Sequence, residues 1–130
     1  MRRKVLLAIV CVLLLVSTTA AGPGDTHWAR TYGGSEYDAG HSVQQTSDGG
    51  YVIAGWSSSF GAGAEDVYLV KTDSFGDTLW TRTYGGWNSD GSWCVQQTCD
   101  GGYIIAGLTA SFGAGSDDVY LLKIAGGELP

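Results

Sequence analysis

The stretch "SVQQTSDGGYVIAG" at residues 42–55 returns at 94–107 as "CVQQTCDGGYIIAG", 52 residues further on. The identity is not confined to that phrase. Residues 24–73 align with 76–125 without a gap, and 31 of the 50 positions are the same residue. Most of a 130-residue chain is therefore two copies of one unit. Whatever the unit folds into must be able to stack beside itself. A period near 50 belongs to blade-like β repeats, whereas helical solenoid repeats run shorter.

Within one unit the turn signals divide four strand-like runs: "HSVQQT" (41–46), "YVIAGWS" (51–57), "DVYLVKTD" (66–73) and "TLWTRTY" (78–84). The first two are joined by Ser47-Asp48-Gly49-Gly50, residues that allow the positive φ of a tight hairpin. Ser74-Phe75-Gly76-Asp77 makes a second compact turn. "YVIA" and "VYLV" are apolar on successive residues, so both faces of those strands are expected to be covered. No run shows apolar residues at helical spacing. The expected fold is all-β, in two four-stranded antiparallel blade-like sheets, with units at about 24–75 and 76–125.

A different pattern opens the chain. Met1 to Lys4 is basic, Val5 to Val16 is an apolar run, and Ser17 to Ala21 is small and polar, the three parts of a secretory signal. Cleavage is expected after Ala20 or Ala21, because the 12-residue apolar run is short of the roughly 20 residues that span a bilayer. Residues 22–130 would then be a secreted extracellular or periplasmic module. Losing Arg2, Arg3 and Lys4 leaves 4 basic residues of 7 against 13 acidic ones, a charge of −9. Such a surface repels phosphate backbones and argues against nucleic acid as a partner.

The run "QQTSDGGYVIAG…DVYLVKTDSFGDTLW" resembles the secreted β-propeller repeats of the delta-60 and seven-bladed-propeller type, with a kelch-like outline in Tyr68 and Trp80. The resemblance covers residues 24–125 and implies a propeller fold in an exported bacterial or archaeal protein. It implies no particular activity, since such folds serve as binding, adhesive or structural scaffolds.

Counting strands raises a question of completeness. "THWARTY" (26–32) matches "TLWTRTY" and reads as a fourth-type strand without its own sheet, while "DVYLLKI" (118–124) is a third-type strand without a fourth. A propeller takes about four to eight blades. Two units imply head-to-tail self-association, further blades in a longer protein, or two sheets packed as a small sandwich. In the first case "THWARTY" of one chain would complete the second sheet of another.

The long connections gather aromatic rings beside carboxylates and amides, the mixture that stacks on sugar rings and bonds their hydroxyls. The candidate ligand residues are Tyr37, Asp38, His41, Trp56, Trp87, Asn88, Asp90 and Trp93. Tyr37, His41 and Trp56 become Ser89, Trp93 and Leu108 in the second copy, which sets them apart from the shared scaffold. The expected function is therefore a surface or extracellular binding scaffold for a glycan or protein. The alternative is a passive assembly unit or a fragment of a larger propeller. A glycosidase-like carboxylate pair is a third reading, and the expectation is that the protein is not an enzyme. Calcium is the one candidate cofactor, at Glu65, Asp66, Asp117 and Asp118, which follow glycine-rich loops. Asp48 and Asp100 read as turn formers. Cys94 and Cys99 replace Ser42 and Ser47, and on an extended strand they would lie about 16 Å apart, so free thiols are expected.

Overall fold

The computed structural model describes residues 27–127, and the export signal expected at 1–21 lies outside the described residues. Seven strands follow in order: β1 (Asp38–Gln45), β2 (Tyr51–Ser57), β3 (Asp66–Thr72), β4 (Thr78–Tyr84), β5 (Asp90–Gln97), β6 (Tyr103–Thr109) and β7 (Asp118–Ile124). They form two antiparallel meanders, a four-stranded sheet β1-β2-β3-β4 and a three-stranded sheet β5-β6-β7. No helix occurs among the described residues. The all-β expectation therefore holds, but the expected pair of four-stranded sheets is corrected to four and three.

The correction falls on "THWARTY". Residues 27–32 form no strand, because among the described residues no strand lies beside them to satisfy their backbone. Their side chains instead lie against the first sheet. The Trp28 ring sits 5.9 Å from that of Tyr51, at 60°. The Tyr32 hydroxyl donates to the Gly76 carbonyl at 2.7 Å, and Arg30 Nε reaches Asp77 at 3.2 Å.

The hairpin turns follow from their residues. Gly49, Gly76 and Gly101 take φ near +80°, and among the described residues none other than glycine has positive φ. Asp48 thus contributes by accepting hydrogen bonds rather than by its backbone angle. Its Oδ1 accepts from the Gly50 amide at 2.9 Å and from the Thr46 hydroxyl, and its Oδ2 meets Lys71 Nζ at 2.9 Å. Asp100 repeats the arrangement with Gly102, Thr98 and Lys123.

The core lies between the sheets. Val52, Ala54, Val67 and Leu69 point from the first sheet onto Val95, Tyr103, Ile105 and Ile124 of the second. Trp80 and Tyr84 of β4 close the cluster, with Trp80 edge-on to Tyr103 at 5.9 Å. Cross-sheet hydrogen bonds fix the stacking: Ser92 Oγ donates to the Gly55 carbonyl at 2.8 Å, Val95 N to Ser42 Oγ at 3.1 Å, and Ser47 N to Gln97 Oε1 at 2.8 Å. Cys94 and Cys99 are both free and exposed.

Acid should weaken this fold. The hydrogen bonds from Thr46, Lys71 and Gly50 hold the Asp48 carboxyl at about 2, well under its ordinary 3.8. Lys123 and Thr98 depress Asp100 in the same direction. A depressed folded-state pKa gives stability that is present above the unfolded value and is lost as pH falls towards the folded one. The melting temperature is expected to drop between about pH 4 and pH 2. Asp48→Asn should flatten that drop. A melting temperature level across the window would show that these turn carboxylates carry no folding linkage.

Candidate ligand-binding site

Two glycines inside strands accompany the first feature of the candidate site. In both sheets the edge strand slips by one residue: Gly40 pairs Gly55 but Ser42 pairs Ala54, and Ser92 pairs Gly107 but Cys94 pairs Ala106. The unpaired residues of these β-bulges are His41 and Trp93, residues that differ between the copies. Bulges re-aim side chains and cluster beside functional sites. Here the two rings stack on each other, 4.7 Å apart and 18° from parallel, and His41 Nδ1 lies 2.9 Å from the Ser92 carbonyl. The sequence signal for the bulges was the lone Gly in each second strand, Gly55 and Gly107.

The long connections are built alike in both units. Asp38 Oδ2 accepts from Gly34 N and Ser59 Oγ, both at 2.8 Å. Asp90 Oδ2 accepts from Gly86 N at 2.8 Å and Ser111 Oγ at 2.6 Å. Each carboxylate thereby ties the chain entering its sheet to the loop between the second and third strands. Burial opposes the charge on both, yet the hydrogen bonds from Ser57, Gly34 and Ser59 hold Asp38 below the usual carboxylate range. Those from Ser111, Thr109 and Gly86 do the same for Asp90. Asp38 and Asp90 are thus engaged in holding loops, although both belong to the candidate set.

Glu65, Asp66, Asp117 and Asp118 also have local partners in part. Asp66 Oδ2 accepts from Ala62 N at 2.8 Å and Gly63 N at 3.2 Å, Asp118 Oδ2 accepts from Ala114 N at 2.9 Å, and the Glu65 carbonyl accepts from Asp90 N. In Asp66 and Asp118 these loop amides engage Oδ2. Among the described residues no group of three or more His, Cys, Asp or Glu side chains converges. Added calcium is expected to leave the melting temperature unchanged, and a rise of several degrees would establish a calcium site in the loops.

On this scaffold the second unit opens a cleft of about 430 Å³. Trp87 and Asn88 from one connection face Gly115, Ser116 and Asp117 from the other, with Ala64 of the first long loop alongside. The Trp87 side chain is 86% exposed. Asn88 Nδ2 donates to the Ala110 carbonyl at 3.0 Å, which orients the amide at the rim. Ala64 and Ser116 were not anticipated, since small residues in a glycine-rich loop carry no chemical signature of their own.

The candidate residues therefore divide. Trp87, Asn88 and Asp117 share the cleft, and His41 and Trp93 share the stack at the bulges. Trp56 lies against Gly91, where an added Cβ would stand 3.8 Å from it. Tyr37 holds Ser58 N through its carbonyl while its ring stays exposed. A comparison with protein-family models finds no match, and neither does one with the curated proteins.

Proposed function

We propose that the protein is an exported propeller-repeat module that binds a glycan or a protein ligand on the face formed by its long connections. The observation that carries this reading is the cleft at Trp87. A bare indole standing beside an oriented amide and a carboxylate offers an apolar platform with polar groups at its rim. No catalytic step is part of this proposal; Asp38 and Asp90 each use Oδ2 to hold a loop. The resemblance to secreted delta-60 and seven-bladed-propeller repeats supports the export and the scaffold role.

A glycan-array and pull-down screen of residues 22–130 tests it. Trp87→Ala should weaken whatever binds by at least about tenfold, or about 1.4 kcal/mol, with the circular dichroism spectrum unchanged. Trp93→Ala reports on the bulge stack separately. Binding untouched by either substitution would remove the proposed face. The second reading, an assembly unit without a ligand, is favoured by the apolar outer face of the second sheet, where Val119 and Leu121 are exposed.

A further inference from the structure

Identical residues in the two units have opposite surroundings. Val67 and Leu69 of β3 are 1% and 0% exposed, whereas their counterparts Val119 and Leu121 of β7 are 86% and 64% exposed. Lys71 has a side chain 4% exposed against 44% for Lys123. The cause is visible in the fold. The second sheet covers the β2–β3 face of the first, and among the described residues nothing covers the matching face of the second, Ile104, Ala106, Val119 and Leu121.

The far end of the molecule shows the converse. The face of the second sheet that enters the core carries Val95, Tyr103 and Ile105. The matching residues of the first sheet, Val43, Tyr51 and Ile53, are exposed or half-buried. Residues 27–32 lie against them in the manner of β4 against the second sheet. Trp28 meets Tyr51 at 5.9 Å and 60°, and Trp80 meets Tyr103 at 5.9 Å and 65°. Arg30 lies over Trp28 as Arg82 lies over Trp80. Among the described residues, the segment holds the place of a fourth strand with no third strand beside it, and β7 is a third strand with no fourth beside it.

We infer that these two ends are the halves of one interface, and that its occupant is a second copy of this chain. The contact between the two sheets within the chain is its template. The outer face of the second sheet, with Val119 and Leu121, packs on Val43, Tyr51 and Ile53 of the next copy. Residues 27–32 of that copy add to the free edge of β7. The β3–β4 register pairs Leu69 with Arg82 and Tyr68 with Thr83. One repeat earlier, the same register sets Leu121 against Arg30, and Tyr120 against Thr31, of the neighbour. Gln96 would reach the neighbour's Gln45 amide as Gln44 reaches that of Gln97. Because the two surfaces differ, the contact is heterologous and propagates head to tail, closing if the rotation allows. Three or four chains would supply six or eight sheets, within the range of about four to eight for a closed propeller. The inference is independent of the ligand-binding reading and concerns other residues.

Two measurements on residues 22–130 test it. Light scattering should give a mass that is a multiple of the chain's, and Leu121→Glu should reduce it to the monomer while the β circular dichroism persists. Cross-linking keeps the inference open to refutation if that variant fails to fold. In a Cys94→Ser, Cys99→Ser background, Arg30→Cys and Leu121→Cys chains should form a disulfide-linked dimer on oxidation only when mixed. A wild-type monomer at every concentration up to the solubility limit would overturn the inference. So would dimers formed by either cysteine variant alone, or none from the mixture.

Discussion

Leu69→Ala is expected to lower the unfolding free energy by about 2–5 kcal/mol, the range for removing a fully buried leucine and leaving its cavity. Leu69 is wholly buried between the sheets, with Val52, Ala54 and Val67 around it and Ile105 and Val95 opposite. The core of the described module is small, so such a loss is a large share of a stability that for domains in general is about 5–15 kcal/mol. The matched change in the second unit, Leu121→Ala, separates packing from intrinsic residue effects. In a monomer it removes little buried surface and should cost well under about 1 kcal/mol. Chemical denaturation of both variants checks the pair. Equal losses from the two in a dissociated sample would mean that the β7 face is covered within the chain itself.

Gly55→Ala should destabilise the fold by about 1–3 kcal/mol, as forced overpacking does. Replacing glycine in a strand interior is ordinarily a gain of roughly 0.5–1 kcal/mol, so the sign is the test. A Cβ on Gly55 would run into the carbonyl of Ala39, and one on Gly107 into that of Gly91. Both clashes lie at the bulges that turn out His41 and Trp93, so the same substitution should disturb their stack. Thermal melting together with the near-ultraviolet signal of the tryptophans reads both effects. A more stable Gly55→Ala variant with an unchanged aromatic signal would show that the bulge has room the structure does not give it.

Much of the fold was legible because its signals are local. The hairpin glycines fixed the turns, and the runs 51–57 and 78–84 match β2 and β4 residue for residue. β1 begins three residues earlier than the apolar pattern at 41–46 suggests, because the bulge at His41 interrupts the alternation that marks a strand. The segment at 26–32 was read as a strand from its likeness to β4. A strand needs a partner as well as a composition, and among the described residues 27–32 have only side-chain contacts with the first sheet. The asymmetry of burial was hidden for the same reason. "DVYL" is the same four residues in β3 and β7, and only the presence of a covering sheet makes one copy core and the other surface. At the candidate site Trp93 was readable from its departure from the repeat, and Trp87 from its place among the carboxylates and amides of the long connections. The structural duty of Asp38 and Asp90 was not, since accepting a loop amide and accepting a ligand hydroxyl call for the same carboxylate.

Amide hydrogen exchange, resolved by residue, tests most directly the claim that the inter-sheet contact inside the chain is repeated between chains. In the wild-type chain from residue 22, the amides of β7 should be protected to the same order as those of β3. In Leu121→Glu, β3 should keep its protection while β7 loses that of its outer-edge amides, because only the added strand at 27–32 of a neighbour covers that edge. Equal protection of β7 in wild type and variant, or fast exchange of β7 in both, would contradict the account.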